Sequence, residues 1–293
     1  MVADPARRIA RLSDARARAL VAEALRAAPP LEDELPAPQT LLVGDAWTGV
    51  TTAVDADGWR AVLVAAGGRR TSSRTCEVVD PAGDVVAVFD AGDAAVRALA
   101  IAAGVAAPLL AGTGPVRIGL LGAGPLGRAV VRELQAALDV EHVAVFDIDP
   151  AVAAAAADLG KVAADAAAAV RGATVVVTAT NARDPVLRAD WVAPGATVLA
   201  LGADRPGRRE LDYRLVAEAT FAACDGVAVA RALADDLRGC VAEGHLDWQE
   251  VTPLAGVVAG DVDARTSDDD LVVLKLVDAA PLVLALARAA LGA

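Results

Sequence analysis

The run Val116-Arg117-Ile118-Gly119-Leu120-Leu121 has the pattern of an apolar strand and ends in Gly122-Ala123-Gly124-Pro125-Leu126-Gly127. These glycines, spaced GxGxxG, open a helical periodicity carried by Val130, Leu134 and Leu138. A second apolar run, Val143-Ala144-Val145-Phe146, closes on Asp147, 20 residues beyond Gly127. A bare GxGxxG is a weak signal. Strand, glycine turn, helix, strand and acid in this order form the context of a βαβ unit that binds a dinucleotide. In such a unit the first glycine permits the tight turn, the second lets backbone approach a pyrophosphate, and the third lets the helix pack close to the strand. The phosphates then sit on free N–H groups at the helix N-terminus, where the dipole favours negative charge. The competing reading is a glycine-bearing turn in some other α/β fold. The sequence predicts a cofactor turn made by Gly122, Gly124, Pro125, Leu126 and Gly127.

Asp147 narrows the cofactor. A carboxylate at the end of the second strand accepts hydrogen bonds from both ribose hydroxyls and repels a 2′-phosphate. The segment Phe146-Asp147-Ile148-Asp149-Pro150 carries no Arg or Lys to neutralise an extra phosphate. NAD is therefore favoured over NADP. The alternative for Asp147 is a plain turn residue ahead of Asp149-Pro150.

A chain of 293 residues is long enough for one large or two medium domains. Residues 7–28 read as a helix, with Ile9, Leu12, Leu20 and Leu25 on one side, stopped by the prolines between Pro29 and Pro38. Short strands follow at 41–43, 48–54, 59–65, 75–79 and 85–89, separated by Asp57-Gly58, Gly67-Gly68 and Asp80-Pro81-Ala82-Gly83. Strands in succession without helices predict a mostly antiparallel sheet. An Ala-rich helix over 93–110 leads to the turn at 111–115. Beyond Asp147 a helix around 150–170, strands at 174–178, 196–201 and 220–223, a turn at 181–185 and a helix near 211–217 predict a doubly wound parallel sheet. Residues 271–291 read as an apolar helix that packs back on the N-terminal part.

Charge and composition exclude several classes. A net charge of −12 argues against a nucleic-acid surface, which needs clustered Lys and Arg. Although 56% of the residues are hydrophobic, no apolar stretch runs 18 residues without a charge or a turn, so no membrane span is expected. The N-terminal Met1–Arg8 lacks a secretory apolar core, and a cytoplasmic location follows. Cys76, Cys224 and Cys240 have neither disulfide nor metal spacing and read as small buried hydrophobes. His142 and His245 have no metal-like partner at short spacing, so no metal site is expected. Ser72-Ser73 reads as a turn, and Asp268-Asp269-Asp270 as a solvated helix start.

Beyond the glycine turn, the chain contains Val177-Thr178-Ala179-Thr180-Asn181, then Asp184-Pro185-Val186-Leu187 and Trp191-Val192-Ala193-Pro194-Gly195. It also contains Leu201-Gly202-Ala203-Asp204-Arg205-Pro206-Gly207-Arg208-Arg209-Glu210-Leu211-Asp212, followed by Cys224-Asp225, Glu243-Gly244, Gly260 with Arg265, and Lys275. With these pieces the chain resembles the ornithine cyclodeaminase/mu-crystallin family over most of its length. The GADxPGxxEL segment is the most specific of them. The resemblance implies an α/β fold: a Rossmann domain with a doubly wound parallel sheet over 113–265, plus a smaller α+β substrate and dimerisation domain built from both termini, 1–112 and 266–293. It further implies a homodimer joined through the substrate domains. The implied chemistry is NAD(P)-dependent hydride transfer at a nitrogen-bearing carbon of a small amine, amino acid or imine, by a dehydrogenase, imine reductase or cyclodeaminase. The alternative is a nucleotide-binding protein without turnover, like the crystallin members.

Asp204 follows an apolar strand at the carboxyl edge of the sheet, where α/β ligands bind. A carboxylate there can take up or deliver a proton. The matching Asp of the family is its proposed acid/base group, and Asp204 is expected at the interdomain cleft near the nicotinamide; a turn cap before Pro206-Gly207 is the plainer alternative. The turn Thr178-Ala179-Thr180-Asn181 is expected to line the nicotinamide ribose, with a plain strand-to-loop turn as the competing reading, and Gly202 is expected at the cofactor.

Family members that act on amino acids clamp the substrate carboxylate with an Arg, a Lys and an Arg. Here the three places fall on Gln39, Arg60 and Arg97, so one cation is lost, one changed and one retained. A solvated surface role competes at Arg60 and Arg97. The family's late Asp is missing, with Val283 near its place. The altered clamp points away from ornithine and towards dehydrogenation or imine reduction.

Overall fold

A computed structural model describes residues 4–27, 38–43, 46–68 and 72–293. The proline stop expected between Pro29 and Pro36 lies outside the described residues. The chain divides into two compact units, Met1–Ala102 with Asp278–Ala293, and Ala103–Val277.

The first unit begins with α1 (Pro5–Ala10) and α2 (Asp14–Arg26) where the periodicity predicts a single helix. Ser13 causes the break: its backbone is extended and its hydroxyl accepts the N–H of Arg16, capping α2. Five strands follow, β1 (Gln39–Val43), β2 (Ala46–Val54), β3 (Arg60–Gly67), β4 (Ser72–Val79) and β5 (Val85–Asp90). They pair in chain order, all antiparallel. Ser72 and Ser73 are not a turn; they open β4 opposite Gly67 and Ala66. The register is set further along, where Ala61, Leu63, Cys76 and Val78 are buried, and the pairing runs on to the exposed serine end.

Helix α3 (Gly92–Leu110) starts in this unit and runs on into the second. It is the one helix among the described residues long and apolar enough to cross a membrane, and 67% of its apolar window is buried inside the fold. The last helix, α11 (Ala280–Leu291), packs on α1, α2, β2 and β3 and buries Val283, Leu286 and Ala287. Its Arg288 pairs with Asp55 and, at 2.9 Å, with Asp57, both in the β2–β3 turn.

The second unit contains β6 (Val116–Leu121), α4 (Pro125–Ala137), β7 (Val140–Phe146), α5 (Pro150–Ala154), β8 (Lys161–Val162), α6 (Ala166–Val170), β9 (Val175–Thr178), β10 (Thr197–Ala200) and α7 (Tyr213–Ala217). It continues through β11 (Phe221–Cys224), α8 (Val227–Leu233), α9 (Asp235–Ala242), β12 (Val251–Pro253), α10 (Leu254–Ala259) and β13 (Val272–Lys275). The sheet order is β12-β11-β13-β10-β9-β6-β7-β8 with every pairing parallel. This is the doubly wound sheet expected from the sequence. The chain leaves β6 towards β7 and β8, then returns to β9 on the other side, so the switch point lies between β6 and β9.

Two sequence expectations fail here for local reasons. The helix expected around 150–170 is α5, β8 and α6, because Gly160 lies so close to the Val143 backbone that the chain enters the sheet edge, and Asp165 then caps α6. The helix expected over 271–291 starts only at Ala280. A short apolar run is ambiguous between strand and helix, and Val272–Lys275 becomes β13, inserted between β10 and β11. The two compact units divide after Ala102 and after Val277.

Candidate active site

The glycine turn at the end of β6 is built by close contact. Gly122 has φ +93°, and a Cβ there would lie 2.6 Å from the Ala179 carbonyl oxygen. A Cβ on Gly127 would collide with the Gly122 carbonyl, so only glycine lets α4 settle on the turn. Gly124 caps α4 and Pro125 occupies its first turn, with no side chain bonded to the helix N-terminus. The neighbouring α5 and α6 are instead capped by Asp149 and Asp165. A Cβ placed on Gly124 meets nothing within 4 Å, so the backbone there faces open space. Free first-turn donors beside open space fit the pyrophosphate of a dinucleotide.

Asp147, beyond β7, is half-buried. Its carboxylate accepts the N–H of Ala123 at 2.8 Å and that of Asp149 at 2.9 Å. The acid thereby ties the glycine turn to the end of β7 and remains at the place where a ribose would bind.

On the other side of the switch point, Thr178 ends β9 and Ala179 and Thr180 follow it, while Gly202, Ala203 and Asp204 follow β10. Thr178 is fully buried, and its hydroxyl has no hydrogen-bond partner among the described residues. Asp204 is partly buried and pairs with the Arg205 guanidinium at 2.8 Å. Arg208 donates to the Asn181 carbonyl, which joins the loop after Asp204 to the turn after Thr180.

A buried charged cluster lies beneath these loops. Glu210, Asp236 and Lys275 are each fully buried. The Lys275 ammonium stands 2.8 Å from Asp236 and 3.8 Å from Glu210. Burial opposes its charge, but the Asp236 and Glu210 carboxylates outweigh that and hold its pKa above the ordinary lysine value, with Asp204 adding in the same direction. Burial pushes the Glu210 carboxyl upward, and Asp236 adds to this, against the pull of Lys275 and Thr180. Glu210 and Lys275 are part of the sequence resemblance, but no composition or spacing rule singles them out. The available signal is a lysine inside the apolar run Leu271-Val272-Val273-Leu274-Lys275-Leu276, since lysine is almost never fully buried unless paired.

The cofactor-side residues read from the sequence, including Pro125, Leu126 and Gly202, and the acid Asp204 all fall in the second unit. Gln39, Arg60 and Arg97 belong to the first unit. Gln39 stands opposite Val50 and Arg60 opposite Val54, so they are separated by about 13 Å along β2 at ~3.3 Å per residue. The exposed Arg60 bonds weakly to the Gly58 carbonyl at 3.4 Å. Arg97 donates to the carbonyls of Ile9 at 2.7 Å and Leu12 at 2.8 Å and pairs with Asp14 at 3.0 Å.

Known proteins share both sequence and architecture with this chain. Alanine dehydrogenase of Archaeoglobus fulgidus is 28% identical over 194 residues, covering 64% of this chain and 60% of the relative. The chain spans 55–60% of the length of such curated relatives. An archaeal alanine dehydrogenase dimer solved with bound NAD has a TM-score of 0.86 at 24% identity, covering 97% of this chain and 92% of that one. The Thermococcus litoralis Delta(1)-pyrroline-2-carboxylate reductase, solved with NADH and L-proline, also has a TM-score of 0.86, at 20% identity, covering 97% of this chain and 94% of the other. These two likenesses establish the fold. The sequence model of the ornithine cyclodeaminase/mu-crystallin family matches residues 64–280, and the chain belongs to that family.

Proposed function

We propose that this chain is an NAD-dependent oxidoreductase that transfers hydride at a nitrogen-bearing carbon of a small amino acid or imine. The observation that carries the reading is the pairing, within one doubly wound unit, of a glycine turn leading into a helix without a side-chain cap and an acid, Asp204, beyond β10. The archaeal alanine dehydrogenase with NAD and the reductase with NADH and L-proline support the same class. NAD supplies the hydride chemistry when bound. This chain's residues hold and orient it: the N-terminus of α4 takes the pyrophosphate, Asp147 the adenosine ribose, and Thr178, Ala179, Thr180 and Gly202 the nicotinamide side. Asp204 exchanges a proton with the substrate nitrogen or with water. The Asp147 charge disfavours a 2′-phosphate, which sets NAD over NADP.

The substrate is an amine, amino acid or imine, with Arg60 as the exposed cation for an acidic group. Arg97 already serves Ile9, Leu12 and Asp14. Together with Gln39 at an arginine position of the family, this favours a substrate outside the ornithine type. It also sustains the second reading, a nucleotide-binding protein without turnover.

We place the protein in the cytoplasm, a compartment where buried thiols such as Cys76 and Cys240 stay reduced. It works as a homodimer through its antiparallel sheet, where edge residues Leu41, Leu42 and Val43 and outward-facing Val88 are exposed. Titration of tryptophan fluorescence with NADH, then an absorbance assay on pooled amino acids and cyclic imines, tests the function. Binding with no turnover on any pool selects the second reading. No binding of NADH rejects both. A monomer in sedimentation at micromolar concentration rejects the dimer.

A further inference from the structure

Glu210 makes an unusual set of bonds for a fully buried carboxylate. One oxygen accepts the backbone N–H of Thr180 at 2.6 Å and its hydroxyl at 2.9 Å. The other accepts the N–H of Gly202 at 2.7 Å and of Ala203 at 3.2 Å. The two oxygens thus hold two different loops, the one after β9 and the one after β10. Gly202 permits this approach, because a Cβ there would collide with the Thr180 backbone and with Glu210 itself. Glu210 is in turn fixed from below. Asp236 accepts the N–H of Glu210 at 2.7 Å and that of Leu211 at 2.8 Å, while its other oxygen pairs with Lys275.

A doubly wound sheet binds a dinucleotide across its switch point, one nucleotide to each half. The glycine turn and Asp147 belong to the β6–β7 half. The loops held by Glu210 belong to the β9–β10 half, and the second of them runs directly into Asp204. A pre-organised pair of loops here sets where the nicotinamide nucleotide rests relative to the acid, and such positioning is a large part of catalysis.

Resting on the NAD reading, we propose that Glu210 is the positioning residue for the nicotinamide half of the site, setting the Thr180 and Gly202–Asp204 loops as one body, with Lys275 and Asp236 as its buried support. Glu210→Gln is the informative variant. Glutamine offers one oxygen and one NH2 group, so either orientation turns donors against the N–H groups of one loop. The charge loss is tolerable, because Lys275 and Asp236 remain as a balanced pair.

The test compares two probes by titration on the 293-residue chain: NADH, and ADP, which has the adenosine and both phosphates but neither the second ribose nor the nicotinamide. In Glu210→Gln, ADP affinity should stay within about twofold, while NADH affinity falls by roughly 10–100-fold, the scale of one charge-assisted hydrogen bond. In the nucleotide-free protein, amide hydrogen exchange should rise in peptides covering 179–182 and 201–204 and not in those covering 122–128. Unchanged NADH affinity overturns the proposal. So does an equal loss of both probes with an intact circular-dichroism spectrum, since that marks a general scaffold residue. Should Glu210→Gln fail to fold, Glu210→Asp keeps the charge but is one methylene too short to span both loops, and the same split between probes is expected. If the unmodified protein binds neither probe, the dinucleotide reading falls and takes this proposal with it, an outcome separated from the others by the unmodified protein alone.

Discussion

The Asp147 carboxylate accepts the backbone N–H of Ala123 at 2.8 Å, so the acid expected at the ribose is also bonded to the glycine turn that would hold the phosphates. Asp147→Ala should therefore act twice. It should narrow the preference for NADH over NADPH, and it should weaken both by loosening the turn. Asp147→Asn keeps an acceptor for Ala123 while removing the charge, so NADPH should gain with little loss of NADH. Fluorescence titration with the two nucleotides checks this, and equal affinities in the unmodified protein would remove the assignment.

Asp204→Asn preserves shape and eliminates proton transfer, an effect typically worth about 10²–10⁴-fold in rate. NADH affinity should barely change, because the α4 turn and Asp147 are untouched and the loop that carries Asp204 keeps its backbone bonds to Glu210. Full turnover of the variant on an identified substrate would reduce Asp204 to the partner of Arg205, 2.8 Å away.

Arg97 joins the end of α1 to the start of α2 through Ile9, Leu12 and Asp14, and its side chain is only 22% exposed. Arg97→Ala should cost about 2–3 kcal/mol, since bonds to a charged donor are lost and carbonyls are left without partners. Thermal unfolding should drop by several degrees while NADH affinity is preserved. A variant that melts like the parent but loses substrate affinity would restore Arg97 to a substrate clamp.

Burial pushes the Cys76 thiol from an ordinary 9.0 up to about 12. The unfolded chain releases this proton near pH 9, whereas the folded chain keeps it until about 12. Stability from this group is thus fully present below pH 9 and is lost as the pH rises towards 12, by about 4 kcal/mol at most. Lys275, held above its ordinary 10.5, adds a loss in the same direction beyond that pH. Urea unfolding at a series of alkaline pH values should show the slope, and Cys76→Ala should flatten its lower part. A Cys76 side chain that reacts quickly with a thiol reagent at pH 8 would contradict its burial.

Sequence alone reached the features that depend on neighbours along the chain. The turn at Gly122–Gly127, the acid at Asp147 and the parallel α/β order are all local patterns of spacing and period. Ser13 as the cap that divides the first helix was equally local, yet hidden by the apolar period running through Ile9, Leu12 and Leu20. What escaped depends on distant segments meeting. Glu210, Asp236 and Lys275 come together only because β13 inserts between β10 and β11. The same insertion turned the start of an expected helix into a strand, since the run Val272–Lys275 has too few residues for its periodicity to separate strand from helix. Gln39 and Arg60 could be read as residue types, but their distance apart is fixed by strand register, which a single sequence does not specify.

The interrupted first unit, whose sheet is covered by a helix from the far end of the chain, has a consequence for synthesis. Strands β2 and β3 leave the ribosome early, but α11, which packs on them, follows only after all of residues 103–277. At 5–20 residues per second the wait is roughly 10–35 s. The second unit is contiguous and can complete its sheet during that interval. The nascent antiparallel sheet meanwhile keeps an uncovered apolar face, which makes the last sixteen residues, Asp278–Ala293, the segment whose truncation would be felt first as aggregation during expression.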